Sequence, residues 1–243
     1  MNKVYLQNIR NLLDRMEATQ ETVIDQVSEA CAKAIYNGGM LYFFGTGHSH
    51  MICEEPFYRA GGLASICPIL ETDLMLHEGA SKSSSYERIE GLGNVVISHT
   101  ELGKGDVLFL ISNSGRNCAI IDAALEAKKR GAITVAITSM NHTTNVTSRH
   151  SNGLNLYQVC DFVLDNCGEV GDASVSLEGL TQKIAPTSSV VDITMVNLVI
   201  VNTAERLLAM GMVPPVFTSA NTDQGDSANK SILETYKARV KNL

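Results

Sequence analysis

From Asn2 to Ile35 apolar residues recur at intervals of three and four, through Leu6, Ile9, Leu13 and Met16 and then Val23, Val27, Ala30 and Ala34. That spacing is the stripe of an α-helix, so the chain opens with one long helix, or two with a break between Thr19 and Thr22. Asn37-Gly38-Gly39 stops it, because glycine reaches the left-handed conformation of a helix C-terminus. The pattern then changes. Met40-Leu41-Tyr42-Phe43-Phe44 is apolar without alternation, as in a strand covered on both faces, and it ends in Gly45-Thr46-Gly47-His48-Ser49. A helix from about Ser49 to Ala60 closes at Gly61-Gly62, and Leu63 to Leu70 reads as a second buried strand. Further on, a strand at Val107–Ile111, a polar turn at Ser112–Asn117, a helix from Ala119 to Arg130 with Gly131 as its cap, and a strand at Thr134–Ile137 form a βαβ crossover. Phe162-Val163-Leu164 is a fifth strand. Glu178 to Leu208 reads as mostly helical, with a helix start at Pro186–Ser189. The tail holds Pro214-Pro215, a polar turn through Asp226 and an amphipathic helix from about Ser227 to Val240.

Alternation of strand and helix predicts an α/β fold, a doubly wound parallel sheet with helical additions at both ends. Neither a linker nor a repeat interrupts it. Residues 1–243 are therefore expected to form a single domain, with a core at about 35–210, an N-terminal helical segment at 1–36 and a C-terminal extension at 211–243.

Composition narrows the function. The net charge is −7, and no basic run exceeds Lys128-Lys129-Arg130, so nucleic acid is not an expected partner. The six cysteines include no C-x-x-C pair, which fits a reducing cytoplasm. No signal-peptide pattern opens the chain. The longest apolar stretch, Val190 to Val201, is interrupted by Asp192, Thr194 and Asn197, so no membrane segment is expected.

Two strands end in turns of glycine and hydroxyl residues that lead into helices. In an open parallel sheet, ligands bind beyond the carboxyl ends of strands, where the strand order reverses. Ser112-Asn113-Ser114-Gly115 places hydroxyls, an amide and main-chain N–H groups at a helix N-terminus, which favours an anion such as phosphate. The alternative is that Ser114 or Asn117 merely caps the helix. Gly45-Thr46-Gly47 lacks the third glycine of a dinucleotide fingerprint, since His50 stands there, and no Gly-Lys-Ser or Gly-Lys-Thr appears. No cofactor is expected. His48 and His50 diverge on a helix and have no third ligand, so no metal is expected either.

These two turns, together with Ala185-Pro186-Thr187-Ser188-Ser189 opening a late helix, resemble the sugar isomerase (SIS) domain family over about residues 35–210. The likeness is strongest to stand-alone phosphoheptose isomerases. It implies a three-layer αβα sandwich around a five-stranded sheet in flavodoxin-like order, assembled as a homodimer or homotetramer. It also implies that Ser112, Asn113, Ser114, Gly115 and Asn117 hold the phosphate of a phosphorylated sugar. Gly45, Thr46, Gly47, His48 and Ser49 would line the sugar, and Thr187, Ser188 and Ser189 would close the site. Relatives that isomerise arabinose 5-phosphate carry Lys where this chain has His48. Phosphoheptose isomerases carry a late-helix His where this chain offers Thr194 and Asn197.

The acid–base residues are weighed locally. Glu54 and Glu55 follow the first turn and point about 100° apart on a helix, so at most one faces the site. Glu55 is the first choice for catalytic base because Phe57 and Tyr58 are expected to shelter it and raise its pKa; Glu54 and His77 are the substitutes. His142 and His150 lie in the loop after the fourth strand. A phosphosugar isomerase is the leading reading. A lyase cleaving the lactyl ether of N-acetylmuramic acid 6-phosphate and a non-enzymatic phosphosugar sensor remain open. Apolar stripes at Leu6/Ile9/Leu13/Met16 and Ile232/Tyr236/Val240 are expected to be left uncovered by a single chain and so to drive association.

Overall fold

The computed structural model describes residues 3–222 and 225–243. Asn2, where the helical reading began, and part of the polar turn before Ser227 lie outside the described residues. Helix α1 runs unbroken over Val4–Tyr36. Strand β1 (Leu41–Gly45) follows, with every residue buried. After it come a 3₁₀ turn at Gly47–His50 and the short helix α2 (Met51–Glu54). The helix expected to reach Ala60 stops here because Pro56 has no N–H to donate to Ile52 and its ring would collide with that carbonyl. The chain turns instead, with Tyr58 at φ +43°.

Strand β2 is only Ile66–Pro68. Helices α3 (Ala80–Tyr86) and α4 (Leu92–Ser98) occupy the polar stretch that showed no pattern. Strand β3 (Val107–Ile111), helix α5 (Cys118–Lys129) and strand β4 (Ile133–Thr138) form the anticipated crossover. Short helices α6 (Met140–Thr143) and α7 (Leu156–Val159) precede β5 (Phe162–Asp165). The span from Glu178 to Thr187 is not helical. It contributes to an antiparallel pair, β6 (Ala173–Val175) with β7 (Ile184–Pro186), and α8 begins only at Ser188, running to Ala209. Helix α9 spans Gly225–Tyr236.

The sheet is parallel in the order β2-β1-β3-β4-β5. Leu41, Phe43, Val107 and Phe109 face one layer with α1, α2 and α8; Phe43 and Phe109 stack with ring centroids 4.5 Å apart. Tyr42, Phe44, Leu108 and Leu110 face the other, with α4, α5 and α9. The result is a three-layer αβα sandwich. The apolar stripes expected to stay uncovered are largely spent inside the chain: Ile9 and Met16 are buried, as are Tyr236 and Val240, and only Leu6 stands clearly exposed. The reason is room on the faces, since α1 packs along α8 and α9 covers the layer beside β2. All six cysteines are free, and all but the half-exposed Cys160 are buried. Among the described residues no helix is long and apolar enough to cross a membrane.

Candidate functional site

Because β1 connects to β2 over one face and β3 to β4 over the other, the strand order reverses between β1 and β3, which pair directly from Leu41↔Val107 to Gly45↔Ile111. The two turns leave the sheet side by side at this point, where open α/β sheets bind ligands.

The second turn is tightly built. Ser112 Oγ accepts from the Gly115 N–H at 3.1 Å. Gly115 is left-handed (φ +59°), and a Cβ there would meet Thr143 Oγ1 at 2.9 Å and Leu156 Cβ at 3.3 Å. Asn113 O accepts from Ser139 N at 3.2 Å and Thr138 Oγ1 at 3.1 Å. The main-chain N–H groups of Asn113, Ser114, Arg116 and Asn117 make no hydrogen bond among the described residues, so this turn offers four free donors in addition to the Ser114 hydroxyl. Asn117 occupies the N-cap position of α5, yet its side chain does not cap the helix. Its Oδ1 accepts from Arg149 Nη1 at 2.6 Å instead.

Behind this turn lies a buried polar chain. Asn166 Nδ2 donates to Asn113 Oδ1 at 3.0 Å and to Asp192 Oδ1 at 2.8 Å. Burial raises the Asp192 carboxyl to about 7; Asp172 and Asp165 push the same way, against the Asn166 hydrogen bond. Asp192 is 2% exposed, and in the sequence it was only an interruption of an apolar stretch. An acid in the middle of such a stretch, one turn after Ser188, was the available signal.

The first turn is looser. Gly45 must lack a side chain, because a Cβ would lie 2.7 Å from Ser49 O. Thr46 Oγ1 donates to Glu87 Oε2 at 2.7 Å, and Glu87 O accepts from Ala119 N at 3.0 Å, so α3's end ties the first turn to the start of α5. His48 is exposed, and His50 is buried with Nε2 lacking any partner. His50 Nδ1 lies 3.3 Å from Glu54 Oε1, and the exposed His77 meets the His50 ring edge-on, centroids 6.4 Å apart. Burial holds His50 below its ordinary pKa; Glu54 opposes this and His77 reinforces it.

Of the acid–base candidates, Glu54 and His77 thus gather at His50, the one member not anticipated. Glu55 ion-pairs with Arg59, on a shallow groove that also takes in Met51, Phe57 and Ile193. The shelter expected of Tyr58 is not there, since that ring is 56% exposed. The third segment is drawn in through Asp172, whose carboxylate accepts from Thr187 N at 3.0 Å, Ser188 N at 2.8 Å and Ser188 Oγ at 2.6 Å. That carboxylate caps α8, with Asp172 (φ +68°) and Ala185 (φ +63°) both in the left-handed region that costs non-glycine residues energy. The Ser188 hydroxyl proton is committed to Asp172, while Ser189 is half-buried. His142 lies near Arg116 and Asp172, whose charges both act on it. His150 is turned away, pairing with the buried Asp122 at 3.0 Å. Among the described residues no group of three His, Cys, Asp or Glu side chains could hold a metal ion.

A SIS domain model matches residues 4–139, more than half of the chain. The chain belongs to the SIS domain family. UPF0309 proteins of Shouchella clausii and Thermoanaerobacter pseudethanolicus are similar to this SIS protein almost end to end. Both are 40% identical to it, the first over 97% of this chain and 96% of its own, the second over 98% of each. Among solved structures, a phosphoheptose isomerase from Francisella tularensis is similar at a TM-score of 0.55 and 15% identity, covering 83% of this chain and 95% of that one. The Vibrio vulnificus NanR protein complexed with ManNAc-6P is similar at 0.54 and 17%, covering 99% and 69%. Both likenesses are of fold.

Proposed function

We propose that this SIS protein binds a phosphorylated sugar across the two turns and isomerises it between aldose and ketose. The observation that carries the reading is the set of four free N–H groups and the Ser114 hydroxyl at the switch point. A phosphate needs several converging donors, and backbone donors fixed in advance lose little entropy on binding it. The first turn would then lie against the sugar, with Gly45, Thr46, Gly47, His48 and Ser49 near its hydroxyls and Ser189 at the far wall.

In the proposed reaction a base takes the proton from C2 of the aldose phosphate, and the carbonyl oxygen at C1 gains a proton, forming an enediol. The C2 hydroxyl then loses its proton as C1 is reprotonated, leaving the carbonyl at C2. Glu55 is the first candidate for the base, once it leaves Arg59; Glu54 and His77 are the alternatives. The base must reach hydrogen-bond distance of C2. The protein is further proposed to work as a homodimer or homotetramer. Support for this now comes from α8, where Val190, Leu198, Val201 and Leu208 are exposed on the helix that begins at the site.

Incubation with a panel of sugar phosphates in heavy water, followed by NMR, tests the reading. Deuterium at C2 is expected with at least one aldose phosphate. A rise in melting temperature with sugar phosphates but no exchange with any of them would favour a sensor, and an equal rise with free sugars would refute the phosphate cradle.

A further inference from the structure

Three arginines converge on the second turn from separate segments. Arg116 belongs to the turn and donates from Nε to Thr147 O at 2.9 Å. Arg149 comes from the loop after α6; its N–H donates to Arg116 O at 2.8 Å, and its Nη1 is held by Asn117. Arg88 follows α3, is exposed, and among the described residues its guanidinium has no hydrogen bond or ion pair. The three are close enough for Arg149 to be held below its ordinary pKa, through desolvation and then the charges of Arg116 and Arg88. Glu87 is the carboxylate that acts on Arg149 in the opposite sense, and one of its oxygens is already occupied by the Thr46 hydroxyl.

This arrangement is electrostatically costly. The Asn117 amide forgoes a helix cap and holds a cation beside an end of α5 that is itself partially positive. An acidic chain with a net charge of −7 nevertheless gathers three guanidinium groups there, and Glu87 is the carboxylate set against Arg149. A phosphate in the turn already has its donors in four N–H groups and a hydroxyl. The planar forks of arginine suit a further carboxylate or phosphate.

We infer that the ligand is a sugar phosphate bearing a second acidic group, with the phosphate in the Ser112–Asn117 turn and the second group held by Arg88, Arg116 and Arg149. The inference rests on the phosphosugar reading above and adds to it the class of substrate.

Calorimetric titration of the full chain with glucose 6-phosphate, 6-phosphogluconate and fructose 1,6-bisphosphate tests it, the last two distinguishing a carboxylate from a phosphate as the second group. At least one doubly acidic probe is expected to bind about tenfold or more tighter than glucose 6-phosphate, the scale of one charge-assisted contact. Arg88→Gln, on a side chain with no partner to lose, should abolish most of that advantage while leaving glucose 6-phosphate binding unchanged. Arg149→Lys, which keeps the charge and loses the fork, should remove part of it. Arg10→Gln, on the exposed face of α1, should change nothing. Equal affinity for all three probes would overturn the inference and leave the phosphosugar reading standing, as would an equal loss of glucose 6-phosphate binding in Arg88→Gln. Failure of every phosphorylated probe to bind would instead overturn the phosphosugar reading itself.

Discussion

The two turns that leave the sheet at the switch point are neighbours in space and opposites in construction. The second is braced from four sides: by Thr138 and Ser139 after β4, Thr143 and Leu156 against Gly115, Asn166 after β5, and Asp192 on α8. The first is followed by a helix of one turn, a proline and a left-handed tyrosine. A Cβ on its Gly47 would find only Leu76 Cδ2, at 3.9 Å. Glu54, His50 and His77 gather at the looser turn, and the free N–H donors belong to the rigid one. On the proposed function, recognition would be preorganised at the second turn and proton transfer would fall to the looser first turn. This division is reasonable where a phosphate must be held still while a base changes partners.

The contrast can be broken most directly with alanine at the two left-handed glycines. Gly115→Ala should destabilise the protein by about 2–4 kcal/mol, because left-handed strain adds to a collision with Thr143 and Leu156. Gly47→Ala should cost only about 1–2 kcal/mol, the strain alone. Urea unfolding of both variants measures the difference, and equal losses would dissolve the contrast between the turns.

A function-level effect of similar size is expected from Glu55→Gln. Sugar phosphate binding should survive, whereas deuterium exchange at C2 should fall by about 100-fold, equivalent to about 2.7 kcal/mol of barrier. His77→Asn should slow exchange less. Normal exchange in Glu55→Gln would pass the role of base to Glu54 or His77. Ser114→Ala should remove the thermal shift produced by sugar phosphates while leaving the melting temperature of the free protein nearly unchanged. Retention of that shift would move the phosphate away from the second turn.

A pH-dependent effect is expected at Asp192. Its carboxyl sits near 7 in the fold against 3.8 when exposed, so the native state binds more protons than the unfolded chain between those values. Stability from this group is full at low pH and is lost as pH climbs from about 4 to about 7. Asp192→Asn keeps an acceptor for Asn166 and should flatten that part of the slope. Melting curves of both proteins from pH 4.5 to 8 would show it, and parallel slopes would mean that Asp192 does not titrate in this window.

What could be read from the chain followed the contiguity of the signal. Strands β1, β3, β4 and β5 and helices α1 and α5 are local patterns, and they stand where the apolar runs and the glycines put them. Helix α3 was not legible, because Ala-Ser-Lys-Ser-Ser-Ser-Tyr has neither stripe nor strong propensity. One long-range contact, Ser83 Oγ donating to Leu74 O at 2.8 Å, helps hold it. Pro56 was a local signal that outweighs the helical appearance of residues 49–60. The β6–β7 pair depends on left-handed Asp172 and Ala185, conformations that nothing in those residue types announces. The site was legible as turns and illegible as partners. Arg88, Arg116 and Arg149 meet only after folding, and Asn166 joins Asn113 to Asp192 across 53 and 26 residues of chain.

The cysteines offer a way to time these two regions. Burial raises the thiol of each of the six, with Cys67 at about 11 and Cys160 at about 12. Since the thiolate is the reacting species, an alkylating reagent should find little to attack until the chain opens locally. Cys53 lies just after the first turn and Cys118 just after the second. Their relative labelling rates would serve as paired clocks, running without any introduced probe, for how often each side of the switch point breathes.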